Sequence, residues 1–194
     1  DALCQWLKTE KKEPFFVSMG FFSTHREYPD IDMSEEELRA LHLPEFLKDT
    51  MEVRKDYAGH MRSVEMFDSN FGKIIHMLKE TGHYDDTLIM FTTDHGVPYP
   101  FAKCTLFDSG IHVALIMRDP KPIVKGVHIK GLVSQIDVAP TICDLLGIEK
   151  DDGYQGKVLR KYFPIYMKKW MKQYLRKSTS IHPNEPARCV RTKD

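Results

Sequence analysis

The residues best suited to chemistry stand where two apolar runs stop. Thr87-Leu88-Ile89-Met90-Phe91-Thr92-Thr93 is a short β-rich run, and Asp94-His95-Gly96 follows it directly. A carboxylate beside an imidazole is a plausible pair of ligands for a divalent metal, and the glycine permits close backbone approach. Taken alone, such a tripeptide is more often simply a strand-ending turn, and the apolar strand before it and the glycine after it favour a site. Lys103 lies nine positions beyond Asp94, enough for the chain to loop back and bring an ammonium near the metal. A cation there would neutralise a tetrahedral oxyanion such as sulfate or phosphate as charge shifts to the leaving oxygen. An exposed lysine is the plain alternative. His25, just past the apolar run Pro14 to Phe22, is a candidate proton donor or oxyanion contact, with a turn histidine as the alternative.

The elements that must position these groups follow from periodicity. Pro14 to Phe22 is apolar almost throughout, as a central strand covered on both faces should be. Ala2 to Glu10 reads as the tail of an amphipathic helix, and Asp30 to Lys48, interrupted by Pro44, as a surface excursion with one short helical turn. From Met51 to Glu80, Tyr57, Met61, Val64, Phe67, Phe71, Ile74, Ile75 and Leu78 recur at spacings of three and four, which predicts a long amphipathic helix. Thr81-Gly82-His83 ends it with a glycine suited to a left-handed backbone. Further strands are expected at Ile111 to Met117 and Ile129 to Val133, and a helix from Gln135 closed by Gly147. Alternating strands and helices predict an α/β domain with a largely parallel sheet. Ligand groups in such sheets gather at the carboxyl ends of strands.

Lys+Arg and Asp+Glu number 28 each in 194 residues, so the formal net charge is zero. This balance argues against a nucleic-acid arm, and no apolar run approaches the roughly 20 residues of a membrane span. Cys4, Cys104, Cys143 and Cys189 form no CxxC pair; buried free thiols are expected, with one disulfide as the alternative. After Lys150 the chain turns basic and aromatic, and Pro164 to Met171 is expected to form a solvated basic helix rather than a membrane or nucleic-acid anchor. The organisation predicted is one domain over residues 1–150 followed by a basic segment over 151–194.

Taken together, these segments resemble the sulfatase family within the alkaline-phosphatase-like superfamily, nearest to its heparan N-sulfatase-like branch and to bacterial sulfatases. The resemblance is carried by Phe15 to Phe21 with Thr24-His25-Arg26, by Asp85 to Gly96, by Ala102-Lys103-Cys104-Thr105-Leu106-Phe107-Asp108-Ser109-Gly110-Ile111, by Ser134 to Thr141 and by Gly153-Tyr154-Gln155-Gly156-Lys157. Their order matches throughout. It implies an α/β sandwich, with a largely parallel central sheet flanked by helices and incomplete at both ends of this chain. Asp94 and His95 match the second pair of metal ligands, where many sulfatases have Asp followed by Asn. Calcium is the metal expected by family, with Mn²⁺ or Zn²⁺ brought in by the imidazole. Lys103 matches the residue contacting the sulfate and bridging oxygen, His25 matches the active-site histidine, and Cys104 stands where many relatives have Gly. His182 and Arg188 are expected to border the substrate cleft, where the C-terminal subdomain begins.

In the complete enzyme the resemblance implies a formylglycine nucleophile, made from a Cys- or Ser-x-Pro-x-Arg motif, and an early Asp-Asp metal pair. The motif does not occur in the 194 residues and no Asp-Asp pair stands near their start, so both are expected upstream and the chain alone is expected to be inactive. The expected substrate is a sulfated small molecule or sulfated glycan, and the expected compartment is periplasmic, secreted or lysosomal. Two rival readings are a phosphodiesterase or phosphonate hydrolase of the same superfamily and a non-catalytic sulfatase-like binding module.

Overall fold

The structure, a computed structural model, describes residues 2–9, 14–120, 126–149 and 151–159. His182, Arg188 and the expected basic helix lie outside the described residues. Two compact units share the chain, one formed by Asp1–Glu10 and Phe16–Arg118, the other by Lys11–Phe15 and Asp119–Asp194.

In the first unit, α1 (Ala2–Leu7), α2 (Glu35–Ala40) and the 30-residue α3 (Met51–Glu80) are the helices that lie before the sheet. The periodicity that predicts α3 matches its bounds, and both ends are fixed by local chemistry. The Thr50 hydroxyl accepts from the Val53 N–H at 3.3 Å, while Gly82 takes φ 76° just after the last turn. Ser34 and Glu37 form a reciprocal capping box at the start of α2. Arg54 of α3 holds the other end, donating to the carbonyls of Leu38 at 2.8 Å, Arg39 at 3.0 Å and Leu41 at 2.8 Å. These are carbonyls that a helix end leaves without internal partners. The buried stripe of α3 departs from expectation in its first half. Met61 and Val64 are exposed, and Ala58, Gly59, His60 and Ser63 are buried instead.

The sheet has two strands, β1 (Ile89–Thr92) and β2 (Leu115–Arg118), paired antiparallel with Ile89 opposite Arg118 and Thr92 opposite Leu115. The α/β class therefore holds, but the pairing described is antiparallel rather than parallel. The reason lies in the connection: residues 93–114 carry only a four-residue helix, α4 (Asp108–Ile111), and a parallel pair needs a crossover of a dozen or more residues, usually helical, laid over the sheet. α4 also takes the first residue of the strand expected from Ile111. Phe91 of β1 packs against Phe67 and Phe71 of α3 at ring distances of 5.3 and 6.0 Å, and Phe21 meets Phe67 edge-on at 4.9 Å. This aromatic layer seats the strand on the helix.

Two expected strands are corrected. Residues 14–22 and 129–133 have no ladder partner among the described residues, and Phe16 and Phe22 are 65% and 84% exposed. An apolar run encodes a preference for burial, but a strand also needs a neighbour to satisfy its backbone.

In the second unit, a 3-10 turn (Gln135–Asp137) leads into α5 (Val138–Leu146), which Gly147 closes at φ 66°. The single helix expected here is thus split at Asp137. That carboxylate is buried and accepts from the Ser134 N–H at 3.0 Å and the Lys157 N–H at 2.7 Å. Thr141 is fully buried; its hydroxyl donates to the Asp137 carbonyl at 2.5 Å and accepts from the Leu159 N–H at 3.0 Å. Cys4, Cys104 and Cys143 are free thiols, as expected, but Cys104 is exposed and the other two are only half-buried.

Candidate active site

The β1–β2 pair delivers Asp94 and His95. Beyond the last ladder pair the Thr93 N–H reaches the Ala114 carbonyl at 3.4 Å, and the Ala114 N–H donates back to the Thr93 hydroxyl at 3.2 Å. Three residues on, the Gly96 N–H donates to the Gly110 carbonyl at 2.9 Å. Asp94 and His95 are therefore held between two anchors. A side chain at Gly96 would place its Cβ 1.7 Å from the Ser109 carbonyl oxygen, and one at Gly110 would lie 2.3 Å from that of Ala102. Both glycines are required by close approach of backbone to backbone.

A backbone carbonyl orients the His95 ring. His95 Nδ1 lies 2.7 Å from the Gly96 carbonyl, which can only accept, so Nδ1 carries the hydrogen. That leaves Nε2 facing Asp94 Oδ2 at 3.3 Å. Nε2 and Oδ2 thus stand side by side, spaced as two ligands of one cation can be. Orientation of a ring by a backbone carbonyl is also how metal-binding histidines are commonly held. Asp94 Oδ1 accepts from the His95 N–H at 3.0 Å, and the Asp94 side chain is 86% exposed. The pair supplies two donors; among the described residues no group of three or more His, Cys, Asp or Glu side chains could hold a metal.

Lys103 sits on the loop that follows. Its N–H donates to the Val97 carbonyl at 3.0 Å, closing a small ring of backbone. Phe101 and Cys104, on either side of it, adopt φ 63° and 64°. Each such non-glycine residue costs on the order of 1 kcal/mol or more. The strain is held by the Ala102 N–H on Tyr99 O at 3.1 Å, the Thr105 N–H on Ala102 O at 3.0 Å and the Ser109 hydroxyl on the Phe101 carbonyl.

His25 lies on a separate loop, where its N–H donates to the Phe22 carbonyl at 2.9 Å and its Nδ1 to the Arg26 carbonyl at 2.6 Å. By the same acceptor-only argument, Nε2 is the nitrogen it presents. Direct contact within the expected set is thus between Asp94 and His95, with Lys103 joined to them by its loop. His25 is linked to that loop by residues that sequence reasoning missed. Arg26 forms a bidentate pair with Asp56 of α3 at 2.6 Å for both bonds. Its guanidinium also lies 4.9 Å from the Tyr28 ring centre and 5.2 Å from that of Tyr99. Adjacency of Arg26 to His25 was the available signal; nothing in the sequence marks Asp56.

The family and structural matches place the α/β frame that carries these groups in the alkaline-phosphatase-like superfamily. In structure, 61% of this chain matches 24% of a phosphonate monoester hydrolase from Silicibacter pomeroyi, with TM-score 0.55 and 34% identity. The sulfatase family model matches residues 1–148, and the chain belongs to the sulfatase family. Human N-sulphoglucosamine sulphohydrolase is 26% identical over 168 residues, covering 74% of this chain and 34% of that protein. An ulvan-active sulfatase from Formosa agariphila is 29% identical over 115 residues, covering 59% and 19% respectively. The chain spans between about a fifth and two fifths of the length of these and the other curated relatives it matches.

Proposed function

We propose that this chain forms part of the catalytic domain of a metal-dependent sulfuric ester hydrolase, acting on sulfated small molecules or sulfated glycans outside the cytosol. The observation that carries the reading is the side-by-side placement of Asp94 Oδ2 and His95 Nε2, 3.3 Å apart, as two ligands of one cation can be, on the loop whose strained turn presents Lys103. Family membership supports it, as does the sulfatase character of the human and Formosa relatives. Asp94 and His95 would hold a divalent metal, calcium by family with manganese or zinc suited to the imidazole, and the metal would supply Lewis-acid stabilisation of the transferring group. Lys103 neutralises charge that develops on the bridging oxygen or nitrogen as the S–O or S–N bond breaks. His25, with Nδ1 held on the Arg26 carbonyl, turns Nε2 toward the leaving atom and moves a proton there. The nucleophile, a formylglycine by family, belongs to none of these 194 residues.

In the full-length protein, Lys103→Ala is expected to lower turnover of an aryl sulfate on the order of a hundredfold or more. Steady-state kinetics on purified enzyme measures it, and near-normal turnover would remove Lys103 from this role. A second reading, hydrolysis of phosphonate or phosphate diesters, is favoured by the likeness to the Silicibacter enzyme. Parallel assays on p-nitrophenyl sulfate and p-nitrophenyl phenylphosphonate separate the two by which substrate has the higher kcat/KM.

A further inference from the structure

We propose that Arg26 is a positioning residue whose guanidinium, locked by Asp56, holds the His25 loop and the Lys103 loop against one face of α3. The inference deepens the sulfatase reading and rests on it for the roles of His25 and Lys103. Three segments far apart in sequence converge on this side chain: its own loop, Asp56 thirty residues later at 2.6 Å, and Tyr99 on the Asp94-to-Lys103 loop at 5.2 Å.

The surroundings explain why Arg26 serves as a clamp rather than as an anion ligand. Both terminal nitrogens are taken by the two oxygens of Asp56, so the fork that would grip a sulfate is already occupied. The aromatic rings of Tyr28 and Tyr99 flank it, and cation–π attraction adds to the carboxylate's. These rings pack on His60, at centroid distances of 5.4 Å from Tyr28 and 6.0 Å from Tyr99, and Tyr57 stands 6.1 Å from Tyr99. Close approach to the helix is built in: a Cβ on Gly59 would fall 3.0 Å from Tyr28 Cβ.

The clamp reaches the reacting groups through short backbone paths. On one side the Arg26 carbonyl is the acceptor for His25 Nδ1, so fixing Arg26 fixes the imidazole. On the other, Tyr99 and Lys103 both donate their N–H to the Val97 carbonyl, at 2.8 and 3.0 Å, so a displaced Tyr99 moves the turn that presents Lys103. Misplacement of a catalytic group by about 1 Å is enough to lower a rate on the order of a hundredfold.

The test compares Arg26→Ala, Arg26→Lys and Asp56→Asn with Arg54→Ala in the full-length protein. Arg54 is a fitting control because it makes the same kind of two-bond pair, with Asp49 at 2.6 and 2.8 Å, but ties α3 to the end of α2. Two readouts are taken: kcat and KM on p-nitrophenyl sulfate, and hydrogen exchange of the backbone amides of residues 97–105. Expected is a fall in kcat on the order of a hundredfold in Arg26→Ala, with KM within about threefold, and faster exchange at 97–105 while α3 stays protected. Arg26→Lys keeps the charge but loses the fork, so it should follow Arg26→Ala; wild-type kcat in Arg26→Lys would overturn positioning in favour of simple charge. Equal losses in Arg54→Ala, or exchange at 97–105 unchanged in every Arg26 and Asp56 variant, would also overturn it. If the wild-type protein turns over no sulfate ester, the sulfatase reading fails, and the exchange data alone decide whether the clamp exists.

Discussion

The loop from Asp94 to Gly110 and the segment from Pro14 to Phe22 make opposite use of their sequences. The loop mixes polar and apolar residues and contains two residues at positive φ, yet backbone hydrogen bonds and close contacts fix it every few positions. The segment is almost wholly apolar, yet Phe16, Val17, Met19 and Phe22 are all exposed. Local order in this chain follows satisfied backbone groups and steric closure more closely than hydrophobicity. Apolar side chains need a surface to cover, whereas a carbonyl 2.9 Å from its donor has already found its partner.

The sharpest way to break this contrast is Gly96→Ala. A methyl group 1.7 Å from the Ser109 oxygen forces the two sides of the loop apart, with an expected loss of at least about 3 kcal/mol in chemical denaturation. An unchanged midpoint would mean the loop is free to shift. In the second unit, Asp137→Ala removes the acceptor for two N–H groups, those of Ser134 and Lys157, and is expected to cost about 2–3 kcal/mol. Asp137→Asn, which keeps one acceptor oxygen, should cost less in the same measurement.

A smaller effect is expected from His60. Burial is the main cause that holds its pKa below the ordinary value, with Asp56 opposing and Arg26 assisting. The unfolded chain therefore binds the proton more tightly than the folded one, and stability falls as pH drops below about 6.5. One such group contributes a slope of at most about 1.4 kcal/mol per pH unit. Denaturation midpoints between pH 5 and 7.5 should lose part of their slope in His60→Phe. Smallest of all is Phe22→Ser, on the open side of the comparison, where stability should stay within about 0.5 kcal/mol of wild type. A larger loss would show that Phe22 is covered in the full-length protein.

Elements whose information is local were legible in the sequence. The bounds of α3 follow from three-and-four spacing and from Thr50 and Gly82, and Gly147 marks the end of α5. The placement of Asp94 and His95 just past a strand, with Lys103 on the following loop, was legible because few residues separate them. What escaped depended on distant partners. Strand direction was set by the connection across residues 93–114, and the fate of residues 14–22 by whether another strand lies beside them. The same holds for Arg26, whose role appears only with Asp56, 30 residues away, and Tyr99, 73 residues away. Likewise the buried stripe of α3 lies at Gly59 and Ser63 rather than Met61 and Val64, and at Gly59 it faces Tyr28, whose Cβ would stand 3.0 Å from an added Cβ.

The turn at Cys104 has a use of its own. Its thiol is exposed, free and adjacent in sequence to Lys103, while Cys4 and Cys143 are half-buried. A thiol-reactive dye at Cys104 would place a reporter one residue from the cation, where changes in emission would follow the arrival of a charged ligand.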